Sequence, residues 1–328
     1  MLTISKALNA SQAGTYHTKD FVSETQSYYA KDDALLGEWQ GELADRFGLS
    51  GAVSKADFMA LANGQHPQTG EQMVKHRIAS EQTNPDGSLT KTVEHRAGWD
   101  ATFSAPKSVS LTALVGGDER VRLAHREAVT AALSELERYT HARIGGNSPA
   151  EQTARFVAAK FEHDTARPVD GYAAPQLHTH AVIFNVTARE DGSTRALQER
   201  TFFESQSYAT AVYQSHLMYK LSELGYELER GRSGAPEVKG FSQEYLDASS
   251  PRSEKIREHL ERNGFKGPEA AEIAAHATRE KKQDLTKEQV LQAHREVAAE
   301  FGNQASRVVA EARQRSVEQG VRHQRVEW

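Results

Sequence analysis

The chain has 328 residues, 38% of them hydrophobic, and a formal net charge of −5. That is enough for one large domain or two modest ones with a real core, and the overall charge does not mark a nucleic-acid binder, although a local groove can be positive on an acidic protein. Having no cysteine, it is barred from disulfides, thiolate zinc sites and thiol nucleophiles.

No run of about eighteen apolar residues is present, so no membrane span is expected. The start lacks the basic-then-apolar pattern of a secretory signal, and a cytoplasmic location is the expectation. Charge is uneven: the part after about residue 230 is slightly basic, and the acidic excess lies before it.

Leu2 to Leu8 reads as a short strand, and Ser11 as the cap of a helix running toward Tyr16. Tyr16, Tyr28 and Tyr29 crowd the first thirty-one residues, with His17 beside the first. Taken alone, such tyrosines are core or rim aromatics with bonded hydroxyls. Ser54 is placed to cap a helix carrying Phe58, Met59 and Leu61, and Asn84-Pro-Asp-Gly87 is a strong turn signal.

From Trp99 to Ser104 the residues alternate. Asp100, Thr102 and Ser104 take one side; Trp99, Ala101 and Phe103 take the other. A carboxylate on a strand face needs a partner, which makes Asp100 a candidate either to hold a ligand histidine or to accept a proton. Pro106 interrupts, and Val109 to Val115 reads as a resumed strand. A long helix is expected from Asp118 to about Ile144, and another from Phe203 to Leu224, stopped by Gly225. Tyr226 to Glu229 reads as a last strand. Beyond Gly240 the pattern is helical, with Thr286 and Gln289 spaced as a capping box and Val290, His294, Val297 and Phe301 in helical period.

Between those regions lie two expected strands rich in histidine. In Arg155 to His163, the residues Val157, Ala159, Phe161 and His163 share a face. In Gln176-Leu-His-Thr-His-Ala-Val-Ile-Phe-Asn185, His178, His180, Val182 and Phe184 share one. The linker holds Pro168, Gly171 and Pro175, as a loop should. Antiparallel pairing would bring His163 near His178 and His180, and three imidazoles are enough protein ligands for a divalent ion with positions left open.

Taken together, these stretches resemble the conjugative relaxases of the MobF, or TrwC/TraI, type. His163-Asp-Thr with Gln176-Leu-His-Thr-His180 is similar to that family's metal motif. Asp100-Ala-Thr-Phe-Ser-Ala-Pro-Lys-Ser-Val-Ser110 is similar to its other signature, and Ala13-Gly-Thr-Tyr16, Tyr28-Tyr29 and Trp39-Gln-Gly to its N-terminus. The resemblance covers most of residues 1 to 250, in order. It implies an α/β (α+β) fold of the HUH endonuclease class: a central antiparallel sheet flanked by helices, with a catalytic core over 1–235 and a C-terminal helical extension over 236–328 that closes over DNA.

The resemblance further implies nicking of one strand at a plasmid origin of transfer, a 5′-phosphotyrosyl intermediate, and later rejoining. Tyr16 takes the place of the first nucleophile and Tyr28 and Tyr29 that of a second pair, while His17 stands where relatives often have another tyrosine. His163, His178 and His180 would hold Mg²⁺ or Mn²⁺. Asp100 would orient His180 or help deprotonate Tyr16. Lys107 and Arg167 are implied phosphate contacts, and Arg279, Lys281 and Lys282 are placed for the backbone of single-stranded DNA. An origin hairpin, relaxosome accessory proteins and a type IV secretion coupling protein are the implied partners. A helicase often follows this region in relatives, so the chain is expected to be the amino-terminal part of a longer protein or a stand-alone relaxase. No Walker-type loop is present, as befits a reaction that needs no ATP.

Three other readings compete. A rolling-circle replication initiator or transposase shares the chemistry, but here the tyrosines precede the histidine pair, as in relaxases. A non-catalytic single-stranded DNA-binding module would use the histidines structurally. A metal hydrolase would use water in place of tyrosine.

Overall fold

The computed structural model of the chain describes residues 1–15, 34–75, 77–83, 89–145, 147–231, 234–278 and 285–326. It is an α/β structure built on an antiparallel seven-stranded sheet, in the order Leu2–Ile4, Arg96–Ser104, Pro175–Phe184, Ala158–Thr165, Ala34–Gln40, Ala52–Ser54, with Leu8–Asn9 also pairing with Arg96–Ser104. Helices flank it, among them Glu119–Glu137 and Glu199–Glu223.

The chain divides into two compact units. The first comprises residues 1–103, 129–162 and 179–213; the second comprises 104–128, 163–178 and 214–328. The first unit holds a core cluster in which Trp39, Phe58, Phe161, Val182 and Phe184 pack together. Phe58 meets Phe184 edge-on at 4.9 Å between ring centroids. Such aromatic pairs add about 0.5–1.5 kcal/mol beyond the area they bury. In this core Val182 and Phe184 are fully covered, which anchors the strand that carries the histidine pair. Gly98 lets the neighbouring strand come close: a Cβ there would meet the Ile183 carbonyl oxygen at 2.1 Å.

The second unit has its own smaller cluster. Leu111, Tyr245 and Ala298 are buried, with Phe241, Val297 and Phe301 packed on them. Tyr245 and Phe301 stack at 5.2 Å. The helices Gln243–Ala248, Pro251–Arg262, Pro268–Ala277, Lys287–Glu300 and Gln304–Val326 make up its C-terminal portion.

Several local expectations hold and others are corrected. Ser54 accepts from the Asp57 amide as a cap, and Thr286 with Gln289 closes a capping box. The first helix, Ala10–Thr15, is capped by Asn9 rather than Ser11: the Asn9 side chain accepts from the Gln12 amide at 2.7 Å, and Gln12 answers by accepting from the Asn9 amide at 3.0 Å. The expected strand from Val109 to Val115 is a helix, Lys107–Leu114. Pro106 starts it, and the Ser110 and Thr112 hydroxyls donate back to the carbonyls of Pro106 and Ser108, at 3.0 and 2.7 Å. Ser108 to Ala113 are all buried, so their apparent alternation carried no information about faces. The long helix ends at Glu137, short of Ile144, and His141–Ala142 forms a strand instead. The strand expected at Tyr226 to Glu229 lies at Leu228–Arg230 and is not the last: it pairs with Pro236–Val238, which follows it. Among the described residues no helix is long and apolar enough to cross a membrane.

Candidate metal and DNA site

Along Pro175–Phe184 burial alternates at the N-terminal end. Gln176, His178 and His180 are half-buried, while Leu177, Thr179 and Ala181 are covered. The imidazoles therefore stand on the open part of a face whose other end is sealed by Val182 and Phe184.

In the first unit, His180 is held by Asp100. The distance from His180 Nδ1 to Asp100 Oδ2 is 2.7 Å. Asp100 is only 3% exposed, so its carboxylate does not trade this bond for water. Thr102, the next residue on the same side of the strand, donates to Asp100 Oδ2 at 3.2 Å and lies 3.1 Å from His180 Nδ1. The Asp100 amide donates to the Ser5 hydroxyl at 2.9 Å, fixing this strand to the start of the chain. An aspartate facing Nδ1 keeps the proton there, so the lone pair of the neutral ring lies on Nε2.

In the second unit, the His163 and His178 rings stack with centroids 5.3 Å apart, tilted by 25°. His178 Nδ1 lies 2.9 Å from the Gln176 carbonyl oxygen. A carbonyl only accepts, so Nδ1 carries the proton and His178, like His180, presents an Nε2 lone pair. Behind this strand end Arg122 grips Asp164, the residue after His163, with two bonds of 2.6 and 3.1 Å. Lys107 donates to the Pro175 carbonyl at 2.6 Å, and burial pushes its ammonium down to about 8. Arg167 sits half-buried in the loop that joins the two histidine strands.

Fully buried His125, in the helix Glu119–Glu137, is pushed down to about 3, chiefly by loss of water. It stays neutral at physiological pH.

The donor chemistry fits a divalent ion: neutral imidazoles with their Nδ1 protons occupied and a buried carboxylate behind one of them are what such ions take. As the side chains lie, no group of three His, Cys, Asp or Glu among the described residues forms a metal cage. Tyr16, Tyr28, Tyr29, Arg279 and Lys282 lie outside the described residues, as do His17, Lys281 and the Asn84–Gly87 turn. Sequence reading missed Thr102 as a partner of His180, although the period-2 pattern put it on the side of Asp100. It also missed Arg122, whose partner is 42 residues away.

A family model described as TrwC relaxase matches residues 10–301. The multifunctional conjugation protein TraI of Escherichia coli is 35% identical over 301 residues, covering 88% of this chain and 15% of TraI, and TraI of strain K12 matches to the same extent. The chain thus spans about 15% of the length of these relatives. Among solved structures, a copper-bound complex of the conjugative relaxase TrwC with oriT DNA is 34% identical, with a TM-score of 0.75 over 92% of this chain and 99% of that one. A metal-bound TrwC complex with oriT DNA is 32% identical with a TM-score of 0.74, again over 92% of this chain and 99% of that one. TrwC complexed with a 27-mer DNA comprising the recognition hairpin and the cleavage site is 34% identical with a TM-score of 0.74, at the same 92% and 99% coverage. With both signature segments falling inside the matched span, the chain belongs to the TrwC relaxase family.

Proposed function

We propose that the chain cuts one strand of DNA at a plasmid origin of transfer, keeps the 5′ end as a phosphotyrosine and later rejoins it. Family membership supports the reaction class. The observation that carries the site is the pair of occupied Nδ1 atoms, on His180 by Asp100 and on His178 by the Gln176 carbonyl. Both bonds put the ring proton on Nδ1, the tautomer whose lone pair, on Nε2, is the form a metal ion takes.

His163, His178 and His180 would hold the ion, Mg²⁺ or Mn²⁺. A bound ion of this kind draws charge from the scissile phosphate oxygens as the transition state builds it up. Asp100 keeps His180 in the required tautomer.

Tyr16 supplies the nucleophile. A phenol with a pKa of about 10 is ionised to roughly one part in a thousand at pH 7, so the reaction needs a proton taken from Tyr16 as its oxygen bonds to phosphorus. The 3′ oxygen leaves and takes up a proton as a hydroxyl. One phosphodiester is exchanged for another, so rejoining needs no ATP. Tyr28 and Tyr29 are placed for a second transfer.

Lys107, Arg167, Arg279 and Lys282 would contact the DNA backbone. A phosphate beside Lys107 offsets the loss of water that pushes its ammonium down. Residues 1–235 would form the catalytic core, and 236–328 the extension that closes over single-stranded DNA next to an origin hairpin. Relaxosome accessory proteins and a secretion coupling protein are the expected partners, and the protein would work in the bacterial cytoplasm and travel with the DNA into the recipient.

The test is incubation with a labelled single-stranded origin oligonucleotide and Mg²⁺ or Mn²⁺, followed by a denaturing gel. The expected result is a protein-linked band that vanishes with chelator and in Tyr16→Phe. Free 5′-phosphate ends without linked protein would point instead to a water-using hydrolase. Hairpin binding with no cleavage at all would point to a binding module.

A further inference from the structure

The loop between the two histidine strands is short of freedom. Within it, the Ala166 amide donates to the Ala174 carbonyl at 2.8 Å, and Val169 and Tyr172 exchange amide-to-carbonyl bonds of 3.0 and 2.9 Å. Asp170 and Gly171 make the turn at φ values of 49° and 82°. Val169, Ala173 and Ala174 are buried.

What covers the loop comes from the C-terminal helices of the same unit. His294, in the helix Lys287–Glu300, reaches back 121 residues and places Nε2 2.8 Å from the Ala173 carbonyl oxygen. Its ring also meets Tyr172 edge-on, centroids 6.0 Å apart. Lys255 pairs with Asp170 at 3.1 Å. Lys107 holds the far end through Pro175. His294 is 5% exposed in a helix otherwise packed through Val297 and Ala298. A leucine would suit that packing as well, yet the position carries a donor aimed at one carbonyl. That carbonyl belongs to Ala173, five residues before His178 and ten after His163.

We propose that His294 is a positioning residue for the metal centre: by holding the Ala173 carbonyl, the C-terminal helix sets the spacing of His163 and His178 and so raises metal affinity before any DNA arrives. The inference rests on the metal reading given above. It assigns the C-terminal helices a task separate from covering DNA. Hydrogen bonds made to a ligand itself commonly tune affinity by about 10- to 100-fold; a bond to the loop five residues before His178 acts one step further back, so the lower end of that range is expected.

The test uses the whole chain without DNA. Mn²⁺ binding is titrated for wild type, His294→Leu and His294→Gln. Glutamine keeps an N–H donor on a side chain of similar reach; leucine does not. Binding of a hairpin oligonucleotide in chelator reports on the rest of the fold, and hydrogen exchange reports on 166–175. The expected result is an affinity for Mn²⁺ about tenfold lower in His294→Leu, restored within about threefold by His294→Gln. Hairpin binding stays within twofold of wild type, and exchange of 166–175 rises in the leucine variant alone. Unchanged Mn²⁺ affinity in His294→Leu overturns the proposal while leaving the metal centre intact. Parallel loss of Mn²⁺ and hairpin binding that glutamine does not rescue also overturns it, since His294 would then be structural only. Failure of the wild type itself to bind Mn²⁺ overturns the metal centre, and this inference with it.

Discussion

Replacing Asp100 tests the carboxylate behind His180 without touching a ligand. The bond from His180 Nδ1 to Asp100 Oδ2 is 2.7 Å, and the carboxylate is 3% exposed. A hydrogen bond to a charged group is worth about 1.5–3 kcal/mol, against about 1 kcal/mol for a neutral one. Asp100→Asn keeps an acceptor in place and loses only the charge, so about 1 kcal/mol is lost and Mn²⁺ affinity falls roughly fivefold. Asp100→Ala removes the acceptor, at about 2–3 kcal/mol or roughly 30- to 150-fold. Thr102 limits that loss, because its hydroxyl already lies 3.1 Å from the same nitrogen and can accept in place of the carboxylate. Adding Thr102→Val should therefore restore the full deficit, a non-additive pair of the sort expected from groups sharing one partner. The assay is Mn²⁺ titration without DNA, which separates orientation of His180 from any part Asp100 plays in taking a proton from Tyr16. Wild-type affinity in Asp100→Ala/Thr102→Val would refute the reasoning outright.

Three further outcomes follow from the structure. His125 is pushed down to about 3 in the fold, against roughly 6.5 unfolded. Between those values the unfolded chain binds a proton that the folded one does not, so stability is complete above about pH 6.5 and falls as pH drops through the window, by about 2 kcal/mol at pH 5. Urea melts at about pH 7.5 and pH 5 should show that dependence shrink by this amount in His125→Leu, and an unchanged dependence would count against it. Lys107 is also depressed, to about 8. Below that both states are charged and the cost of burial is present; from about pH 8 upward the folded lysine loses its proton first. Stability should thus gain from about pH 8 to 10, and melts of Lys107→Met should lack that gain. Gly98→Ala would drive a Cβ to 2.1 Å from the Ile183 carbonyl oxygen, with backbone atoms behind it. Neither strand can give way by turning a side chain, so a loss at the upper end of about 1–3 kcal/mol is expected in thermal melts.

The parts of this molecule that were legible in its sequence are those governed by short periods. The two-residue repeat put His178 beside His180 and Asp100 beside Thr102, and the strands Arg96–Ser104 and Pro175–Phe184 show both pairings on one side. Cap chemistry at Ser54 and Thr286 is read from three-residue spacing and was equally plain. The same rule failed at Val109 to Val115. There the apolar residues alternate, yet the helix Lys107–Leu114 is buried on every side, so nothing in the pattern distinguishes it from a strand.

What the sequence did not give up are contacts whose two ends are far apart along the chain. His294 lies in register with Val290, Val297 and Phe301, and by period alone it is one more residue on an inward stripe. Only the fold supplies the Ala173 carbonyl that makes it a donor with a fixed partner. Arg122 is likewise one of several charges on a helix until Asp164 is set against it. These two contacts share a consequence. One secures the strand end at His163 and the other the loop before His178, and both arise from helices rather than from the sheet that bears the imidazoles. A sequence motif can therefore name the candidate ligands, and even Asp100 behind one of them, while remaining silent on the bonds at Asp164 and Ala173, because no local spacing connects Arg122 or His294 to it.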